Sequence, residues 1–145
     1  MFKRFAFALL LVFAFSAAAL AAKVESDRLS VDVPDGWTGG VEGSSISIVA
    51  ADNSAAIVVA LDSLGGSSME DAVKAAAHQL KGGEITKDED DVYSFDFTNE
   101  QGVPTHVIMS GGDGDFIMMS ITASAEAMAA HQDAIQAILG SVEVK

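Results

Sequence analysis

The chain of 145 residues carries 8 Lys plus Arg against 21 Asp plus Glu, a formal net charge of −13, and contains no cysteine. So acidic a chain repels nucleic acid and anionic membrane surfaces, and lacking cysteine it can form no disulfide staple, thiolate metal site or cysteine nucleophile. Apolar burial and hydrogen bonding must carry the fold, which a chain of this length can achieve with one core.

Lys3 and Arg4 precede an uncharged stretch from Phe5 to Ala22, and Ala19-Leu20-Ala21 offers a small-x-small cleavage point. This predicts a secretory signal peptide over residues 1–21, removed after Ala21 or Ala22. Its densely apolar part, Phe5 to Phe15, is too short for a spanning helix, and no cysteine stands at the cleavage point to accept a lipid. The expected product is one domain, residues 22–145, periplasmic or secreted and not inserted in a membrane. It is more acidic still once Lys3 and Arg4 have left.

Leu29, Val31 and Val33 alternate with polar residues as in a strand, and Pro34-Asp35-Gly36 stops it by turn chemistry. Trp37 follows, placed to close the open end of a core. Ile46, Ile48 and Ala50, then the polar Ala51–Ser54, then the apolar run 55–61 predict a β-hairpin. The second run is apolar at nearly every position, which predicts a strand covered on both faces. Ser67-x-x-Glu70 reads as a capping box for a helix whose stripe is Met69, Val73, Ala76 and Leu80, ended by Gly82-Gly83.

The acidic run Asp88–Asp91 leads into a strand in which Tyr93, Phe95 and Phe97 share a face. Asn99–Gly102 turns the chain into a strand from Pro104 to Ser110. The loop Gly111-Gly112-Asp113-Gly114-Asp115 then joins it to Phe116–Ala123, apolar on both faces and so expected mid-sheet. Ser124 caps a second helix carrying Met128, Ile135, Ile138 and Leu139, which Gly140 closes before a short strand at Val142-x-Val144. The predicted fold class is α+β: a mostly antiparallel sheet flanked by two helices, a three-layer α/β/α sandwich.

The order of elements, "VPDGW", "SSMEDAVKAAAHQL", "GGDGDFIMMSITAS" and "AIQAILGSVEVK" together resemble the PsbP-like superfamily over residues 28–145. That group takes in the PsbP subunit of photosystem II, a Ran-binding nuclear import factor and DcrB-like envelope proteins. The resemblance implies a non-enzymatic accessory domain that binds a partner, with no shared active site; DcrB-like members are usually lipid-anchored, and this chain lacks the acceptor cysteine. No residue role is transferred.

No constellation of catalytic, cofactor or metal residues emerges. His78, His106 and His131 have no i, i+4 partner, and His78 lies off the apolar stripe, facing solvent. Asp88–Asp91 and Asp113/Asp115 supply the oxygen ligands that Ca²⁺ prefers, but neither matches a twelve-residue calcium loop, and turn chemistry explains both. Gly111, Gly112 and Gly114 are followed by a strand rather than a helix N-terminus, so they form no phosphate cradle. Met109, Met118, Met119 and Met128 could line an adaptable groove or simply fill the core. The function expected is an exported accessory or adaptor domain, not an enzyme, with no cofactor and a protein partner in the cell envelope. The alternative is a periplasmic small-ligand or divalent-metal carrier using a Met-lined pocket or the acidic loops.

Overall fold

The computed structural model describes residues 20–112 and 114–145. The expected signal peptide up to position 19, and Asp113, lie outside them. Ten strands and three helices follow in order: β1 (Leu20–Glu25), β2 (Leu29–Pro34), β3 (Trp37–Glu42), β4 (Ser45–Ala50), β5 (Ala55–Ser63), α1 (Met69–Leu80), β6 (Thr86–Lys87), β7 (Tyr93–Thr98), β8 (Pro104–Gly112), β9 (Asp115–Ala123), α2 (Ala125–Ala130), α3 (Gln132–Gly140) and β10 (Glu143–Val144). The strands form a seven-stranded antiparallel sheet, β3-β4-β5-β9-β8-β7-β6, and a smaller one, β1-β2-β10.

Period-two side-chain alternation sorts the large sheet into two faces. Ile57, Val59 and Leu61 of β5 stand opposite Ile121, Met119 and Ile117 of β9, and this face packs against Leu29, Val31 and Val33 of β2 and Ile135 and Ile138 of α3. Tyr93 and Phe95 of β7 pair with Met109 and Val107 of β8 on the other face, beneath Val73 and Ala77 of α1. Helices therefore cover both faces of one mostly antiparallel sheet, as the binary pattern implied.

The cover is diagonal. One layer lies over the β3–β4–β5–β9 half and α1 over the β9–β8–β7 half, on opposite sides. The expectation that β5 is covered on both faces is thus corrected: Ile57 is fully buried whereas Val58 is 37% exposed, with Ala56 and Ala60 half-buried beside it. The apolar run satisfies one packed face and one open one. β9, by contrast, lies between β5 and β8, as its two apolar faces required.

Two strands had no alternating pattern to betray them. β1 is short and mixed in polarity. β3 contains Gly39 and Gly40, and a Cβ at Gly39 would sit 2.7 Å from Val24 Cγ2 and 3.0 Å from Val33 Cγ2, so glycine is what lets the small sheet lie against β3. The predicted second helix is two helices, α2 and α3, which meet at His131 (φ −108°, ψ 14°). The break lets Ala127 pack on Ala55 and Ala123 while Ile135, Ile138 and Leu139 join the β2 side of the core.

The cap of α1 falls one residue later than the capping-box pattern suggests. Ser68, not Ser67, accepts a hydrogen bond from the Asp71 N–H at 3.1 Å, and Asp71 rather than Glu70 occupies the third helical position. Ser68→Ala should cost about 1 kcal/mol of stability, the usual worth of a serine N-cap, while Ser67→Ala should stay within about 0.5 kcal/mol. Chemical denaturation of the two variants checks the assignment. At the other end Lys81, not a glycine, takes the left-handed conformation (φ 57°), and Gly82 donates back to the Ala77 carbonyl at 2.7 Å.

Candidate partner-binding face

The diagonal cover leaves a shelf on the α1 side of the large sheet. Its floor comes from outward-facing residues of β4 and β5: Ser45 opposite Ala60, Ser47 opposite Val58, and Val49 opposite Ala56. Ala60 is in turn opposite Met118 of β9, and Asp62 opposite Phe116. The flank of α1, with Ala72, Ala76 and Leu80, rises beside Met118 and Phe116. Between helix and floor runs a groove of about 450 Å³. Its lining contains two charged groups, Asp62 and Asp71, both carboxylates and both exposed. Glu42 of β3 stands opposite Ser45 at the same end of the shelf.

Among the described residues neither acid forms an ion pair, and Lys74, the cation that feels the charge of Asp71, is paired with Glu70. Lys23, Arg28, Lys74, Lys87 and Lys145 lie within 4.0 Å of Asp32, Asp115, Glu70, Asp91 and Glu25 respectively, all away from the groove lining. Sequence reading missed this site because its parts are ordinary. Alanine and serine in "AAIVVALDS" carry no chemical signature, and only the register shows that Val58 and Ala60 look outward beside a helix flank.

A second cluster closes the opposite side of the molecule. Trp37 packs among Ala50, Ala55, Ala123 and Ala127, and its ring meets His131 edge-on with centroids 5.3 Å apart. It acts as a wedge at the end of the sandwich. His131 Nε2 lies 2.9 Å from Ser54 Oγ, which donates to Asp52 Oδ1 at 2.6 Å, and Asp52 Oδ2 is 3.6 Å from the same nitrogen. Folding thus brings together a serine, a histidine and an aspartate that sequence spacing does not. The geometry is not that of a hydrolytic triad, in which the imidazole takes the serine proton on one nitrogen and is held by the carboxylate on the other. Here both partners share Nε2, and the hydroxyl proton already points at Asp52. The cluster pins the β4–β5 turn to the α2–α3 junction.

The hydroxyl of Ser54, and next its backbone N–H at 3.0 Å, hold the Asp52 carboxyl below its ordinary value, with His131 adding to the effect. A carboxyl depressed in the folded state stabilises the fold above the unfolded aspartate pKa, and the contribution disappears as pH falls through the folded value. Acidification should therefore remove the Asp52 contribution to stability, whereas a carboxyl with the same pKa in both states would add no pH dependence. Asp52→Asn should lose stability at pH 6 yet approach the parent at a pH low enough to protonate Asp52 in the folded state. Urea unfolding at the two pH values checks this.

The other flagged residues serve local structure. Asp88 Oδ1 accepts the backbone N–H groups of Asp90 and Val92, and Lys87 pairs with Asp91 at 3.1 Å, so the acidic run is a tight turn. Asp115 holds Arg28 at 2.7 Å. His106 faces Asp96 across the β7–β8 pair at 2.7 Å, and His78 is exposed on α1. Among the described residues no three His, Asp or Glu side chains converge as a metal site. The methionines divide: Met109 and Met118 line the groove, Met119 is buried on the opposite face, and Met128 packs with Trp37.

Two faces diagonally covered by helices and a small accessory sheet define an α+β sandwich of the PsbP-like fold. Among solved structures it is similar to the cyanobacterial PsbP (CyanoP) of Synechocystis sp. PCC 6803, with 11% identity, TM-score 0.59, and 88% of this chain and 94% of that one covered. It is similar also to the Ran-binding protein Mog1p of Saccharomyces cerevisiae, with 12% identity, TM-score 0.55, and coverage of 87% and 96%. The third is LpqN of Mycobacterium tuberculosis, involved in cell envelope biogenesis, with 17% identity, TM-score 0.50, and coverage of 86% and 90%. A longer protein of Bacteroides thetaiotaomicron contains a similar region, and this chain spans 45% of its length. No family model and no curated protein matches the sequence. At these identities the likeness is one of fold.

Proposed function

We propose that this chain is an exported accessory domain, without chemistry of its own, that binds a protein partner in the cell envelope through the shelf beside α1. The observation that supports the reading most directly is the uncovered half-face of β4 and β5, where Val58 is 37% exposed; with Val41 of β3 at 47% it is one of two large exposed hydrophobics among the described residues. Apolar surface left open next to a groove is a usual mark of an interaction site. A proposed mature domain beginning at Ala22 keeps the regular part of β1, because the ladder with β2 runs unbroken from Ala22 to Glu25 and shifts register only between Leu20 and Ala22. Among the described residues no helix is long and apolar enough to cross a membrane. The similarity to LpqN, a protein involved in cell envelope biogenesis, supports the compartment.

The test is photo-crosslinking in the native host, with a photoreactive residue at Val58 and, as control, at Glu89 in the acidic turn. The reading expects one partner captured at position 58 and not at 89. Capture at 89 alone, or none at either position, would overturn it. A second reading, a small-ligand carrier, draws on the groove volume of about 450 Å³, within the ordinary range of ligand pockets. Such a carrier would show a ligand-dependent rise in melting temperature from envelope extract passed through a filter that excludes proteins.

A further inference from the structure

We infer that the segment received by the shelf is a single amphipathic helix carrying lysine or arginine at one end, seated alongside α1. This rests on the adaptor reading above and adds the chemistry of the partner. Three observations carry it: the width of the opening, the shape of its wall and the charge at its rim.

α1 covers the β7–β8 side, so among the described residues β3, β4 and β5 are left open on that face, and three strands at the ordinary spacing span roughly 14 Å. An α-helix with its side chains is about 10–12 Å across, so the opening accommodates one helix and not two. The wall offered by α1 is a helix flank of Ala72, Ala76 and Leu80, small enough for a neighbouring helix to approach closely. The floor rises to Val58 and Met118 where an apolar stripe would rest. Because the open surface is a sheet face, its occupant makes side-chain contacts, and a strand adding to an edge would leave it uncovered.

Charge selects among helices. Asp62 and Asp71 line the groove where α1 begins, Glu42 stands at the same end of the shelf two strands further out, and the groove lining holds no cation. A helix bearing Lys or Arg at that end meets the carboxylates of Asp62 and Asp71, whereas an acidic one is rejected. The same rim disfavours a second copy of this chain, whose net charge of −13 would be brought against it.

The experiment is a methyl NMR titration of the protein with a synthetic 18-residue amphipathic helix of leucine and lysine, its leucine–glutamate counterpart, and a scrambled lysine peptide of the same composition. The lysine helix should shift the methyl groups of Val58, Ala60 and Met118 and saturate, and the other two peptides should not. Asp62→Asn with Asp71→Asn should weaken binding roughly three- to tenfold at low salt, the worth of two exposed ion pairs. Asp88→Asn with Asp90→Asn, an equal change in charge on the acidic turn, should leave it within about twofold. Equal weakening by both charge changes, or equal binding of the scrambled peptide, would reduce the effect to net charge and overturn the inference. Crosslinks from Val58 that map to a strand of the partner, or to the chain's own residues 1–19, would overturn it as well. The first of those leaves the adaptor reading standing; failure to capture any partner removes the adaptor reading itself.

Discussion

Replacing Ile57 by alanine should cost about 2–5 kcal/mol of stability, the range for deleting a fully buried aliphatic side chain, while Val58→Ala, one residue along the same strand, should change it by no more than about 0.5 kcal/mol. Ile57 is completely buried between β2, α3 and β9, and Val58 points to the open shelf. Were β5 covered on both faces, as its composition suggests, the two substitutions would cost similar amounts. Urea denaturation of the pair therefore tests the diagonal cover on which the proposed site depends. A Val58→Ala cost above about 1.5 kcal/mol, the threshold for burying a valine, would mean that something packs on the shelf in the isolated protein.

Phe95→Ala should cost about 3–5 kcal/mol and Ile138→Ala about 2–5 kcal/mol, and the double variant should lose their sum to within about 0.5 kcal/mol. Phe95 fills the layer beneath α1 with Val73, Ala77 and Val107; Ile138 fills the opposite layer between α3 and β2. The two buried clusters share no residue, so each cavity relaxes without reference to the other. Either single variant should lower the melting temperature by on the order of 10 °C. A coupling energy well above 1 kcal/mol in the double-mutant cycle would show that the sheet transmits strain between its faces and that the two layers act as one core.

The packed regions and the proposed binding face are complementary halves of one sheet. Under α1 and the β2–α3 layer the sheet's side chains are mostly large and buried; on the β4–β5 shelf, which nothing in the described chain covers, they are Ser, Ala and two valines, Val49 and Val58. The open surface of this chain is a sheet face, so a partner can reach it without a loop having to move. The Asp52–Ser54–His131 cluster lies off this surface, and its role in tying α2 and α3 to the β4–β5 turn is structural.

What the order of residues determined by itself was the alternation and the punctuation. Leu29-x-Val31-x-Val33, the hairpin through Asp52-Asn53, the face Tyr93-x-Phe95-x-Phe97 and the stripe of α1 all follow from local periodicity and turn chemistry, which neighbours along the chain suffice to express. They establish an antiparallel α+β sandwich and the resemblance that goes with it. Tertiary structure decided the rest. Gly39 makes a strand only because Val24 and Val33 lie across it, the second helix breaks at His131 because two surfaces must be met at different angles, and β5 has an open face because α1 sits over β7 and β8. Each depends on contacts between residues far apart in the chain, and burial is a property of those contacts. An alanine that faces solvent and one that faces a helix are spelled alike.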